Sequence, residues 1–212
     1  MDVSKSYLSK IFIIVFHIVG FIGFTLNDTR EFFITLVPYH LLLMAGILLA
    51  NFITFTKKTV FAVIIVCISG YLIEVIGVHT GEIFGHYYYG NTLGFKFLSV
   101  PLLIGINWFI VVFMVGGTLR SLFKTQKILR TILGAVMLVA IDYLIEPVAV
   151  TYDYWQWQNN VIPLQNYIGW FVVSLGMMIF YNYFDFKKRN SVVKVLLISQ
   201  TLFFIALNIV AL

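Results

Sequence analysis

Residues 59–79 read TVFAVIIVCISGYLIEVIGVH, an apolar run whose ionisable groups besides Cys67 and Tyr71 are Glu74 and the terminal His79. At a rise of about 1.5 Å per residue a helix of this length crosses the roughly 30 Å hydrocarbon core of a bilayer. Similar runs lie at about 8–26, 33–55, 99–118, 129–150, 166–184 and 192–212. Period-2 alternation of apolar and polar residues is absent from them, which disfavours an outer-membrane barrel. The expectation is an all-α polytopic helix bundle of about seven transmembrane helices, one integral membrane domain over residues 1–212.

Composition agrees, with 61% hydrophobic residues against 11% charged. That balance excludes the ordinary cytosolic folds. A single cysteine, Cys67, allows no internal disulfide and no multi-cysteine metal or iron–sulfur site. The first apolar run is followed by six more and not by a small-residue cleavage motif, so it reads as a retained helix.

The net charge of +5 is explained by its placement. Lys5, Lys10, Lys57, Lys58, Arg120, Lys124, Lys127, Arg130, Lys187, Lys188, Arg189 and Lys194 fall on one side of the seven spans. Only Arg30 and Lys96 fall on the other. The positive-inside rule puts the N-terminus in the cytoplasm and Leu212 outside. The expected location is the cell inner (plasma) membrane, multi-pass, with membrane lipid as a partner and no nucleic acid. Oligomeric state is not readable.

Two long connections, about 80–98 and 151–165, fall on the outer side and are aromatic. Their centres are GEIFGHYYYG over 81–90 and YDYWQW over 152–157, with five Tyr and two Trp in sixteen residues. One reading is an interfacial aromatic belt; the other is a lid over an apolar ligand.

Glu74, Asp142 and Glu146 lie inside predicted spans, where an ionised carboxylate costs at least about 2.5–3.5 kcal/mol. Helical rise puts all three in one depth range of the outer half. Asp142 and Glu146 are four residues apart and share a helix face. Two carboxyls in low dielectric cannot both ionise cheaply, so the pair is expected to hold a proton that it can donate. Pro147 follows and frees the carbonyl of Tyr143. A structural reading, in which the acids only tie helices together, stays open.

His17 and His40 enter their spans from opposite faces and are placed to meet near mid-membrane, and His79 ends span three. A His/carboxylate metal site is the weaker reading, because no HxxxH or ExxH spacing occurs; no metal is expected. Asn107-Trp108 and Asn166 with Trp170 add polar groups and rings near the outer boundary, while Gly70 and Gly77 read as close-packing positions. A retinal protein is excluded by span seven, which has no lysine between Val195 and Leu212.

The run Glu74-Val-Ile-Gly-Val-His-Thr-Gly-Glu-Ile-Phe-Gly-His-Tyr-Tyr-Tyr-Gly90, with Leu93-Gly94 and Val100-Pro101-Leu102, resembles a pattern of the carotenoid biosynthesis membrane proteins. These include carotenoid 1,2-hydratases and bisanhydrobacterioruberin hydratases. Asp142-Tyr-Leu-Ile-Glu-Pro147, Tyr154-Trp155-Gln-Trp157, Pro163 and Asn166-Tyr-Ile-Gly-Trp170 resemble a second block of the same family, so that the likeness covers residues 74–170.

The resemblance implies an apolar carotenoid and water as substrates, handled without a redox cofactor. Hydration of a carotene end group adds a proton to the less substituted carbon of a terminal alkene, and water captures the tertiary carbocation. A neutral carboxylic acid can supply the proton and aromatic faces can stabilise the cation. Asp142 and Glu146 are the expected acid and base, with Glu74 as proton partner or water positioner. Tyr87, Tyr89, Trp155 and Trp157 are the expected cation-facing rings, and His79, Thr80, Asn107, Trp108, Asn166 and Trp170 further substrate contacts. A carotenoid cyclase or isomerase, a proton-coupled or lipid transporter and a non-catalytic carotenoid-binding protein remain as alternatives.

Overall fold

A computed structural model of the chain describes residues 3–51, 56–184 and 191–210. Lys187, Lys188, Arg189 and Leu212, which contribute to the predicted orientation, lie outside the described residues, as do the ends of the predicted second and last spans. The fold is an all-α polytopic bundle. Its helices are α1 (Val3–Thr25), α2 (Asn27–Thr35), α3 (Val37–Asn51), α4 (Lys57–Thr80), α5 (Leu103–Leu122), α6 (Lys127–Thr151), α7 (Leu164–Tyr183) and α8 (Ser191–Val210). Six are long and apolar enough to cross a membrane, and a seventh span results if α2 and α3 are counted together.

That second span is not the continuous helix expected over 33–55. It breaks after Thr35 and the two pieces meet at 58°. Pro38, in the first turn of α3, has no N–H to give and disfavours helical geometry at Val37 before it. The short α2 begins at Asn27, six residues before the expected start, and carries Asp28, Arg30 and Glu31 with no buried residue. Arg30 Nε donates to the Phe24 carbonyl at 2.9 Å, tying α2 back onto the end of α1.

Helix α5 is the axis of the bundle. Trp108 through Val115 are all buried, and α5 packs against α3, α4, α6, α7 and α8. The surrounding helices turn one apolar face inward and another outward. On α4 the inward stripe is Ala62, Val66, Gly70, Glu74 and Gly77, and the outward stripe is Ile64, Ile68, Leu72 and Ile76, each about half exposed. A helix apolar on both faces fits lipid on one side and protein on the other. Gly70 admits α5: a Cβ there would lie 2.5 Å from the Trp108 side chain.

Two small antiparallel ladders, not anticipated from the sequence, organise the long connections at one end of the bundle, termed here the loop end. Strand β1 (Tyr87–Tyr89) pairs with β4 (Trp155–Trp157) in the register Tyr87 to Trp157, Tyr88 to Gln156 and Tyr89 to Trp155. Strand β2 (Lys96–Phe97) pairs with β3 (Val100–Pro101). The turn between β2 and β3, Leu98 and Ser99, has φ of 48° and 64°, the positive values of a type I′ hairpin. This hairpin occupies the start of the predicted fourth span, so the helix begins at Leu103 rather than 99.

Candidate active site

Each functional side chain is set by an identifiable stop or pairing. Helix α4 ends where Gly81 takes φ 69° and its N–H returns to the Gly77 carbonyl, a left-handed cap that glycine adopts freely. The Thr80 hydroxyl donates to the Ile76 carbonyl and accepts from the Glu82 N–H. The chain then turns back over α4 and enters β1. The two aromatic loops are stapled together beyond the ladder: the Gly90 N–H donates to the Tyr154 carbonyl, and the Asn91 N–H to Asp153 Oδ2 at 2.9 Å. Lys96 Nζ donates to the Tyr89 carbonyl at 2.6 Å.

Alternation along the ladder turns every second ring inward. Tyr88 is 61% exposed, whereas Tyr87 and Tyr89 are 8% and 5% exposed and Trp157 is 4%. The inward rings close over the buried acids and donate hydrogen bonds to them. Tyr87 and Tyr89 hydroxyls donate to Glu74 Oε2 at 2.5 and 2.7 Å, and the Trp108 indole N–H donates to Glu74 Oε1 at 3.0 Å. Trp155 and Trp157 indoles donate to Glu146 Oε2 at 3.0 and 2.7 Å. One strand therefore serves each glutamate. Burial, and after it the neighbouring Glu74, push the Tyr87 and Tyr89 hydroxyls well above the ordinary tyrosine range, so both keep their protons.

Asn166, at the start of α7, bridges the second acid pair. Its Nδ2 donates to Asp142 Oδ2 at 2.8 Å and to Glu146 Oε1 at 3.1 Å. The other Asp142 oxygen, Oδ1, is buried without a hydrogen-bond partner. Trp170, one turn along α7, stacks on Trp108 with ring centroids 4.5 Å apart.

The result is a small polar cavity of about 30 Å³ walled by Glu74, Glu146, Asn107, Asn166 and the rings of Phe84, Tyr87, Tyr89, Trp108, Trp155, Trp157 and Trp170, with Ile104. Ten of the thirteen residues singled out from the sequence come together here. Asp142, fully buried, does not line this cavity and reaches it through Asn166. His79 and Thr80 stand apart: both are exposed, with His79 Nδ1 on the Val75 carbonyl and Thr80 engaged in the helix stop. Phe84 and Ile104 were not anticipated; Phe84 belongs to the quoted Thr-Gly-Glu-Ile-Phe-Gly run, which was the available signal.

Beside the polar cavity lies an apolar one of about 320 Å³, bounded by α1, α2, α3, α5, α6 and α8. Ile104, Asn107 and Trp155 belong to both walls. His17 and His40 meet on its wall as expected, ring centroids 4.9 Å apart and edge to face. Among the described residues no group of three or more His, Cys, Asp or Glu is placed to hold a metal ion.

Residues 35–212 match the family described as carotenoid biosynthesis protein, and the chain belongs to it. Over 147 residues, 61% of this chain, it is 31% identical to a bisanhydrobacterioruberin hydratase of Haloarcula japonica. The match covers 47% of that relative, so the chain spans about half of its length. No solved structure matches.

Proposed function

We propose that this chain is a carotenoid end-group hydratase, a hydro-lyase adding water across a terminal C=C, and that it forms one membrane domain over residues 1–212. The observation that carries this reading is the pairing of Glu74 and Glu146 in the wall of one water-sized cavity. A volume of about 30 Å³ exceeds the roughly 10–15 Å³ that a cavity needs to admit a water, and polar partners on several sides are what an ordered water requires.

Hydrogen-bond inventory divides the roles. Glu146 is approached by two indole N–H groups and one amide NH₂, all of which can only donate. Three of its roughly four lone-pair positions are used, and the last is left for a water. That environment suits a carboxylate acting as base. Glu74 receives the donor-only Trp108 indole at Oε1, but at Oε2 it is approached by two hydroxyls that can turn from donor to acceptor. It can therefore carry a proton without leaving a donor stranded, and is the acid. Asp142, behind Asn166, is a positioning residue that orients the amide between the two acids.

In the reaction Glu74 passes its proton to the less substituted carbon of the alkene. The tertiary cation forms against the ring of Trp155, which lines both cavities. Water in the cavity bonds to the cation and loses a proton to Glu146. Transfer of that proton across the cavity to Glu74 restores the enzyme, and the sum is alkene plus water to tertiary alcohol. Acids gathered around one cavity favour such local chemistry over a relay spanning the membrane, and the hydratase relative supports the reaction class. The N-terminus is assigned to the cytoplasm and the loop end to the outside of the cell inner membrane.

Expression in cells that accumulate lycopene or γ-carotene tests the proposal. The pigment is expected to gain the mass of one water. An unchanged mass with altered retention indicates a cyclase or isomerase instead.

A further inference from the structure

The polar cavity is too small to hold an alkene end group as well as water, so the substrate chain must lie elsewhere. We infer that the 320 Å³ cavity is the seat of one end of a long linear polyene, entering sideways from lipid between α1 and α3 with its terminal double bond at Asn107 and Trp155. The inference rests on the hydratase reading and assigns the substrate's binding site.

Four observations carry it. The volume lies at the lower end of the roughly 300–1,000 Å³ of small-molecule sites, room for one end of a long chain whose remainder stays in the bilayer. The walls are mainly aliphatic and aromatic, which suits a hydrocarbon and gives little to a phosphate or sugar. Phe16, Val19 and Tyr39 line the cavity and are also 40%, 47% and 68% exposed on the outside of the bundle. Its mouth is therefore lateral, beside the break between α2 and α3. Finally, the shared wall of Ile104, Asn107 and Trp155 makes the inner end of this cavity the boundary of the acid cavity. A chain end pushed against that wall lies next to the cavity that Glu74 and Glu146 line.

The protein carries its own reporter. All four tryptophans, Trp108, Trp155, Trp157 and Trp170, line the acid cavity, so a light-absorbing polyene seated next to them quenches most of the indole emission. Gly20 faces the cavity, and a Cβ added there meets Phe203 at an ordinary 3.5 Å. Gly20→Leu therefore projects into the space. Gly46 has nothing within 4 Å and is outside the lining, so Gly46→Leu is the control.

Lycopene titrated into the purified protein in lipid nanodiscs is expected to quench the wild type, Gly46→Leu and Glu146→Gln alike. At least ten-fold more lycopene is expected for Gly20→Leu. Gly20→Ala and, from the opposite wall, Leu43→Phe give smaller shifts in the same direction and carry the test if Gly20→Leu does not insert. Equal quenching of the cavity-filling variants and the wild type overturns the inference. So does quenching by a brominated-acyl phospholipid that lycopene cannot displace, which makes the cavity a lipid site. Quenching without water addition leaves the binding site standing and removes the hydratase reading; water addition without quenching does the reverse.

Discussion

Tyr87 and Trp157 face each other across the ladder that joins the two long loops, ring centroids 5.2 Å apart, and each donates its polar hydrogen to a different buried glutamate. A three-residue strand pairing thus sets two carboxyls, carried by helices α4 and α6, against a common cavity. The inward rings of the two loops are hydrogen-bonded to the buried acids, a pairing that an interfacial belt does not require.

The acids differ in their access to the cavity, and their amide variants should differ accordingly. Glu74→Gln and Glu146→Gln each remove a proton-transfer group and are expected to lower the rate of water addition by about 10²–10⁴. Asp142→Asn is expected to lower it less than either, because Asp142 does not line the acid cavity. Single-turnover rates on purified protein in nanodiscs provide the comparison, and equal loss in all three would place Asp142 in contact with substrate.

Removing one ring hydrogen bond should weaken the site without emptying it. Hydrogen bonds to charged groups contribute about 1.5–3 kcal/mol, so Trp157→Phe is expected to slow water addition by about 10- to 100-fold while the protein still inserts. Because Trp155 and Trp157 serve the same Glu146 oxygen, the double variant Trp155→Phe/Trp157→Phe should lose less or more than the sum of its parts. Strict additivity in a rate cycle would argue against a shared oxygen.

Asn166 holds two carboxyls with one amide. Asn166→Leu leaves both buried oxygens without that donor and is expected to cost about 1–3 kcal/mol of stability. A lowered thermal midpoint in detergent, together with lost activity, is the expected signature. A variant as stable as the wild type would show that the bridge is dispensable.

Gly77 is the position that lets the lid sit down. A Cβ there meets Phe84 at 2.9 Å and the Tyr87 hydroxyl at 3.0 Å, so Gly77→Ala pushes the tyrosine off Glu74. A destabilisation of about 1–3 kcal/mol and a fall in activity are expected, measured by thermal unfolding and turnover. Gly176→Ala, with nothing within 4 Å, should leave both unchanged.

Orientation follows from charge and can be read with thiol reagents. In a Cys67→Ala background, cysteine introduced by Lys124→Cys is expected to react only after the membrane is opened. Tyr88→Cys, on the exposed face of β1, should react in intact cells. The reverse pattern would invert the assigned topology.

Much of this was legible in the sequence because hydropathy is a strong signal over twenty residues. It located the helices, and the insertion cost of a charge made Glu74, Asp142 and Glu146 stand out. Four-residue spacing placed Asp142 and Glu146 on one face but did not tell which of them turns to the cavity; that depends on where Asn166 arrives from α7. The ladder was hidden because three residues are too few for a periodic pattern, although Tyr87-Tyr88-Tyr89 and Trp155-Gln156-Trp157 do alternate once paired. Pro38 was a readable sign that the second span breaks. His79 and Thr80 were drawn into the expected site by sequence proximity to Glu74, whereas the helix ends there and turns them outward.

In the proposed reaction, water from the Glu74–Glu146 cavity becomes the new hydroxyl. Purified protein in nanodiscs, given lycopene and heavy-oxygen water, is expected to yield a product heavier by one heavy-oxygen water, with the label on the tertiary end carbon. Turnover to a pigment of unchanged mass, or a product oxygen drawn from anything other than the labelled water, would contradict it.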